Sequence, residues 1–273
     1  MRIRGLGRLL GATRQIIADQ RRSGAIRALH TVSSFVESSY NNEGADVGRN
    51  GEENVINRLS SAHFATALDI GANLGDWTLH AAATWPSCHI HSFEVAPETF
   101  KKLDERLRGA MCRPRVTLNP FGVSDRETTL EMFYYPDHPD LTCETNRHPV
   151  HTAVPFEASL HTLDEYCAAK GITSVDFLKI DVEGSEYKVL QGFSRYINSQ
   201  TVHCVQFEYG AFSIDTKLLL IDYYKLLSDC YWIGKIYPTY VDFREYDWRM
   251  EDFRFCNYCC VSKKRRDLRD LLA

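Results

Sequence analysis

The stretch LDIGANLGDW, residues 68–77, limits the fold of this chain more than any other. Apolar residues lead into Asp69, glycines stand at 71 and 75, and WTLHAAATW (77–85) reads as an Ala-rich helix. A strand that turns through glycine straight into a helix is the first half of a βαβ crossover. Crossovers of this kind build parallel sheets covered by helices on both faces. The alternation then repeats. HIHSFEVAP (89–97) and ETFKKLDERLRG (98–109) give a second strand and helix, and RVTLNPFGVSD (115–125) a third strand. TLDEYCAAKG (162–171) is a helix, and VDFLKIDVEGSEYKVLQGF (175–193) is a fourth strand with a helix from about Ser185. VHCVQFEYG (202–210) is a fifth strand, LLLIDYYKLLSDC (218–230) another helix, and FRFCNYCCVSK (253–263) closes with strands. The expected class is α/β, a doubly wound and mostly parallel sheet.

Two regions break the rhythm. Residues 126–160 hold TTLEMFYYP, an added strand, and a polar, Pro-bearing run that reads as an insertion over the active face. Residues 1–54 read as an N-terminal helical extension and loop ahead of a domain at 55–273. Arg2, Arg4, Arg8, Arg14, Arg21, Arg22 and Arg27 face a single acid, Asp19, within residues 1–30. Ile3, Leu6, Leu9, Leu10, Ile16 and Ile17 recur at helical spacing, so an amphipathic helix is expected. It packs on the domain, makes a peripheral membrane contact or serves as an organelle-targeting segment. The net charge of −4 supplies no basic field for nucleic acid. No apolar run approaches the ~18 residues of a spanning helix, and the arginines interrupt any secretory signal. Nine scattered cysteines fit reduced thiols in a cytoplasmic protein.

The glycine turn also carries chemistry. It reads D-x-G-x-x-x-G, not the G-x-G-x-x-G that cradles a pyrophosphate. An acid beside the turn repels a pyrophosphate but suits an ammonium group, and the helix start favours a carboxylate. A nucleoside joined to an amino acid satisfies both, which points to S-adenosylmethionine. Glu94, ending the second strand, stands where a carboxylate accepts from both ribose hydroxyls.

ALDIGANLGDWT, SFEVAP, LNPFGVSD, HTLDEY and above all DFLKIDVEGSEYKVLQGF resemble the FkbM family of S-adenosylmethionine-dependent methyltransferases. The resemblance covers roughly residues 65 to 210. It implies a class I methyltransferase (Rossmann-like) fold, with a seven-stranded sheet and one antiparallel strand near the edge. It implies O-methyl transfer to a small-molecule or glycan acceptor, a hydroxyl of a sugar or secondary metabolite. It places Asp69, Gly71, Asn73 and Gly75 at the methionine end, with Ala72 and Trp77 in the same turn, and Glu94 at the ribose. Gly122, Val123 and Ser124 fall beside the adenine, with Gly122 where the family has Ala.

Asp181 and Glu183 end the fourth strand, at the carboxyl edge where open α/β sheets bind ligands. An aliphatic hydroxyl needs a base or a metal to give up its proton. Asp181 is the expected base, or else a ligand for Mg²⁺. Glu183 shares either role or merely caps the next helix. Lys179 tunes both, and Glu208, ending the fifth strand, joins the ring. Cys256, Cys259 and Cys260 form half a zinc pattern and read as buried thiols. His148 and His151 read as solvated, and FYYP (133–136) as packing or a stacking platform. Neither a G-x-S-x-G elbow nor a P-loop lysine is present. The remaining alternatives are an NAD-dependent oxidoreductase and a non-catalytic nucleotide-binding partner protein. Oligomeric state is open.

Overall fold

The computed structural model describes residues 4–44, 47–147 and 149–273; Arg2, Ile3 and His148 lie outside the described residues. The chain divides into two units, residues 1–43 and 44–273. The first holds α1 (Arg4–Asp19) and α2 (Gly24–Tyr40) where one helix was expected. The break falls at Ser23, whose hydroxyl accepts from the Ile26 amide and caps α2.

The second unit starts ahead of the expected boundary at 55. The stretch read as a loop folds as α3 (Val47–Asn50) and α4 (Glu52–Arg58), joined at Gly51 with φ +101°. Its alternating elements are β1 (Thr66–Ile70), α5 (Asp76–Thr84), β2 (His89–Phe93), α6 (Pro97–Arg108), β3 (Val116–Asn119) and β4 (Gly122–Val123). After them come β5 (Thr128–Tyr134), β6 (Val154–His161), α7 (Leu163–Lys170), β7 (Val175–Ile180), α8 (Glu186–Gln191) and α9 (Ser194–Ser199). The chain closes with β8 (Val202–Tyr209), α10 (Ser213–Thr216), α11 (Leu220–Leu227), β9 (Tyr231–Ile236), β10 (Val241–Phe243), β11 (Cys256–Ser262) and α12 (Arg266–Leu272).

The main sheet runs β10-β9-β11-β8-β7-β1-β2-β3. Strands β8, β7, β1, β2 and β3 are parallel, and β11 lies antiparallel to both β8 and β9. A doubly wound sheet with one reversed strand slotted in beside its edge is the class I methyltransferase arrangement. The expected seven strands become eight, because β10 folds back on β9 as an antiparallel hairpin. The sequence 115–125 splits in two. β3 stays in the main sheet, while β4 joins β6 and β5 in a second, three-stranded sheet built from the insertion.

Alternate side chains point to opposite faces of a strand, and the two cores follow that rule. Leu68, Ile70, Leu178, Ile180, Val205 and Phe207 pack on one face. Ala67, Phe177, Cys204, Cys259 and Val261 pack on the other, under α4 and α5. Cys259 and Cys260 therefore lie on opposite faces and form no common site. Tyr134 and Tyr135 of FYYP are buried.

Candidate active site

The second face changes character along the strands. Ala67, Phe177 and Cys204 stand in one register row and are apolar. The next row toward the carboxyl ends reads Ser92, Asp69, Lys179 and Gln206. Beyond it come Asp181 and Glu208, the latter opposite Asn257 of β11. Period two thus stacks a polar layer, then an acidic rim, at the crevice where the chain order reverses between β1 and β7.

Lys179 holds the layer together. It is 6% exposed. Its ammonium lies 3.0 Å from Asp181 Oδ2 and 3.6 Å from Asp69 Oδ1 and donates to the Gly71 carbonyl at 3.4 Å. Burial alone would lower its pKa, but Asp181, Asp69 and Glu52 outweigh that and hold it well above the usual lysine value. Asp69 is fully buried and accepts from the Thr78 hydroxyl at 2.6 Å. Burial raises its pKa against the opposing pull of Lys179. The ammonium that Asp69 faces is therefore the protein's own.

The turn after β1 is held by backbone. The amides of Gly71 and Ala72 donate to the Phe93 carbonyl at 3.0 and 2.9 Å, and the Asp181 amide to the Ile70 carbonyl at 2.9 Å. Gly71 has φ +80°, and a Cβ there would sit 1.8 Å from the Asp181 carbonyl oxygen. Gly75 has φ +85°, with Leu103 in the space a Cβ would take. Asn73 adopts φ +47°; its amide donates to Glu94 Oε2 at 2.9 Å, while its own Oδ1 is buried without a partner. Glu94 is 6% exposed and also accepts from the Ala96 amide at 2.8 Å. Burial lifts its pKa to about 7, although both amides pull it down.

One expectation needs correction. The Trp77 ring is not at the crevice: it packs in the core, 5.5 Å from Phe177 and 6.0 Å from Trp85. Its helix turns that face inward, where a large apolar ring gains most from burial. Gly122 lies against Leu160, Val123 fills the core, and both pair with β6. Ser124 bonds to Asp125 at 3.2 Å.

Asp181, Glu183 and Glu208 each offer an oxygen, all within 4.8 Å of one another. Glu208 is 5% exposed, and its Oε2 is buried without a donor. Burial first, then Asp181 and Glu183, push the Glu208 pKa well up. Burial and Asp181 raise Glu183 to about 8. Glu183 is not the cap of α8. The N-cap is Ser185, and Glu186, the first residue of the helix, ties back the loop ahead of it, its Oε1 accepting from the Val182 and Gly184 amides at 3.1 and 3.0 Å.

Two contributors escaped the sequence reading. Glu52 of α4 accepts from Asn50 and Gln206 at 2.6 Å each and from Asn257 at 3.2 Å, beneath Lys179. In GEEN it looks like loop polarity, and only tertiary packing buries it. Arg147, from the insertion, donates to the Glu183 carbonyl and lies 3.6 Å from its carboxylate. Nothing in NRHP signals that contact.

A family model described as the methyltransferase FkbM domain matches residues 69–230. The chain is 31% identical over 154 residues to the 31-O-demethyl-FK506 methyltransferase FkbM of Streptomyces tacrolimicus, covering 46% of this chain and 58% of the relative. It is 26% identical over 152 residues to the methyltransferase sdnD of Sordaria araneosa, covering 46% and 59%. To the hexuronic acid methyltransferase AglP of Haloferax volcanii it is 26% identical over 184 residues, covering 66% and 69%. The chain thus spans 58% and 59% of the length of the first two relatives. The matched segment runs from Asp69 to Cys230 and contains the glycine turn, Glu94 and the acidic rim of β7 and β8, and on it the chain belongs to the FkbM methyltransferase family.

Proposed function

We propose that the chain is an S-adenosylmethionine-dependent O-methyltransferase acting on a hydroxyl of a sugar, glycan or secondary metabolite. The observation that carries this is a crevice with buried oxygens that lack donors, Asn73 Oδ1 and Glu208 Oε2. Such oxygens are costly unless a donor or cation meets them, and S-adenosylmethionine brings an ammonium and a sulfonium. When bound, it supplies an electrophilic methyl group. The chain's residues do the rest. Gly71, Asn73 and Gly75 shape the turn around the methionine end, Asp69 steadies Lys179 below it, and Glu94 keeps one lone pair on each oxygen for the ribose. Gly122, Val123 and Ser124 lie toward the adenine, as the family resemblance implies. One carboxylate of the trio Asp181, Glu183 and Glu208 receives the acceptor's proton; were the trio to hold a Mg²⁺, the ion would polarise the hydroxyl and the proton would still pass to a carboxylate. The carboxyl of Glu183, raised to about 8 chiefly by burial, suits proton acceptance near neutral pH.

Nine unpaired cysteines support a cytoplasmic setting. Among the described residues no helix is long and apolar enough to cross a membrane. The test is Asp181→Asn. Turnover with labelled S-adenosylmethionine is expected to fall by about 10²–10⁴-fold, with affinity for S-adenosylhomocysteine changed only a few-fold. Turnover at the parent rate removes Asp181 from the chemistry. Thermal protection by NADH in place of S-adenosylhomocysteine would overturn the methyltransferase reading.

A further inference from the structure

Beside the acidic rim, the insertion meets the β7–α8 loop around a cavity of about 220 Å³. Glu183 lines it and also belongs to the carboxylate trio, so the cavity opens at the reacting edge. The wall is polar. Glu144, Thr145 and Arg147 come from the insertion, and Ser185, Lys188 and Thr216 face them. Cys143 and Leu218 are the apolar exceptions. Most small-molecule pockets are larger, roughly 300–1,000 Å³, and mainly apolar. A macrocycle or a long acyl chain finds little apolar wall here. A single ring carrying several hydroxyls finds donors and acceptors on both sides.

The charges refine this. Lys188 is bound to Glu144 at 2.5 Å. Arg147 lies between Glu183 at 3.6 Å and Asp215 at 4.0 Å, with its guanidinium 5.7 Å over the Phe212 ring. Both cations of the cavity already have carboxylate partners. An added carboxylate would compete with those acids, whereas neutral hydroxyls bridge such pairs, donating to the acids and accepting from the bases. From this the geometry points to a neutral, hydroxyl-rich sugar residue as the methyl acceptor, with Arg147 as the residue that determines its specificity. The inference rests on the methyltransferase reading of the rim.

Saturation-transfer NMR on the full chain with S-adenosylhomocysteine tests it. The probes are a panel of methyl hexopyranosides, methyl glucuronide and a macrolactone. Neutral glycosides are expected to bind. Arg147→Lys, which keeps the charge but loses the planar fork, is expected to weaken them about tenfold. Leu218→Trp, which fills the cavity from a half-exposed position, is expected to abolish the signal. A folded protein that binds S-adenosylhomocysteine but no neutral glycoside overturns the inference. So does a preference for the glucuronide or the macrolactone, or a glycoside signal that neither variant changes. Failure to bind S-adenosylhomocysteine at all would sink the underlying reading instead.

Discussion

At Gly71 the backbone leaves no room for choice. A side chain there meets both a left-handed φ and the Asp181 carbonyl at 1.8 Å. Gly71→Ala is therefore expected to cost about 3 kcal/mol or more in denaturant unfolding, since backbone on both sides must move. Glu94 gives a pH prediction. Its carboxyl is raised from 4.5 to about 7 by burial, so the folded chain binds a proton there that the unfolded chain releases. That stability is fully present below pH 4.5 and is lost as pH rises through 7. The melting temperature of the ligand-free protein is expected to fall across that window. In Glu94→Gln, which has no proton to lose, the fall should be shallower. An unchanged slope would mean that other buried acids dominate; Glu186, also raised to about 7 chiefly by burial, is the first to examine.

Individual elements show what could be read in advance. On β1, β7 and β8 the period-two pattern was legible: DIG, KID and QFE each end an apolar strand with a polar residue on one face. Asp69, Lys179, Asp181 and Glu208 follow from that pattern, and the structure brings all four to one edge. Trp77 was misplaced because a short, Ala-rich helix gives little signal about which side faces the sheet. The start of α4, residues 52–54, reads as loop for a different reason: it is wholly polar, the helix's only apolar residues, Val55 and Ile56, follow side by side, and its functional group is an acid. Gln206 and Asn257, distant in sequence, bury that acid. Glu52→Ala removes the acceptor for Asn50, Gln206 and Asn257 at once. The loss is expected to reach about 3 kcal/mol, measured by chemical denaturation. Lys179 also loses one of the carboxylates that sustain its charge, so S-adenosylhomocysteine affinity should fall as well. A stability loss with unchanged affinity would confine α4 to a structural role.

At the scale of the whole molecule, the unit at 1–43 has a sequence far from neutral. α2 exposes Leu29, Val32, Phe35, Val36 and Tyr40, the last at 80%. These residues recur every three or four positions, which puts them on one stripe of the helix. Arg14, Arg21, Arg22 and Arg27 are exposed in the same unit. An apolar stripe accompanied by arginines and few acids matches a lipid surface that is itself anionic, where each arginine adds about 1 kcal/mol and the stripe adds burial. The full chain is therefore expected to co-sediment with vesicles containing phosphatidylserine and to release from them as salt rises. Phe35→Asp places a charge in the middle of the stripe and should weaken vesicle binding about tenfold or more. It lies outside the catalytic unit, so methyl transfer to a water-soluble acceptor should stay at the parent rate. Binding to phosphatidylcholine vesicles with equal strength would assign the contact to the apolar stripe alone. No binding to either would leave the stripe to another protein surface, and a concentration-dependent change in mass would then identify a second copy of the chain as its partner.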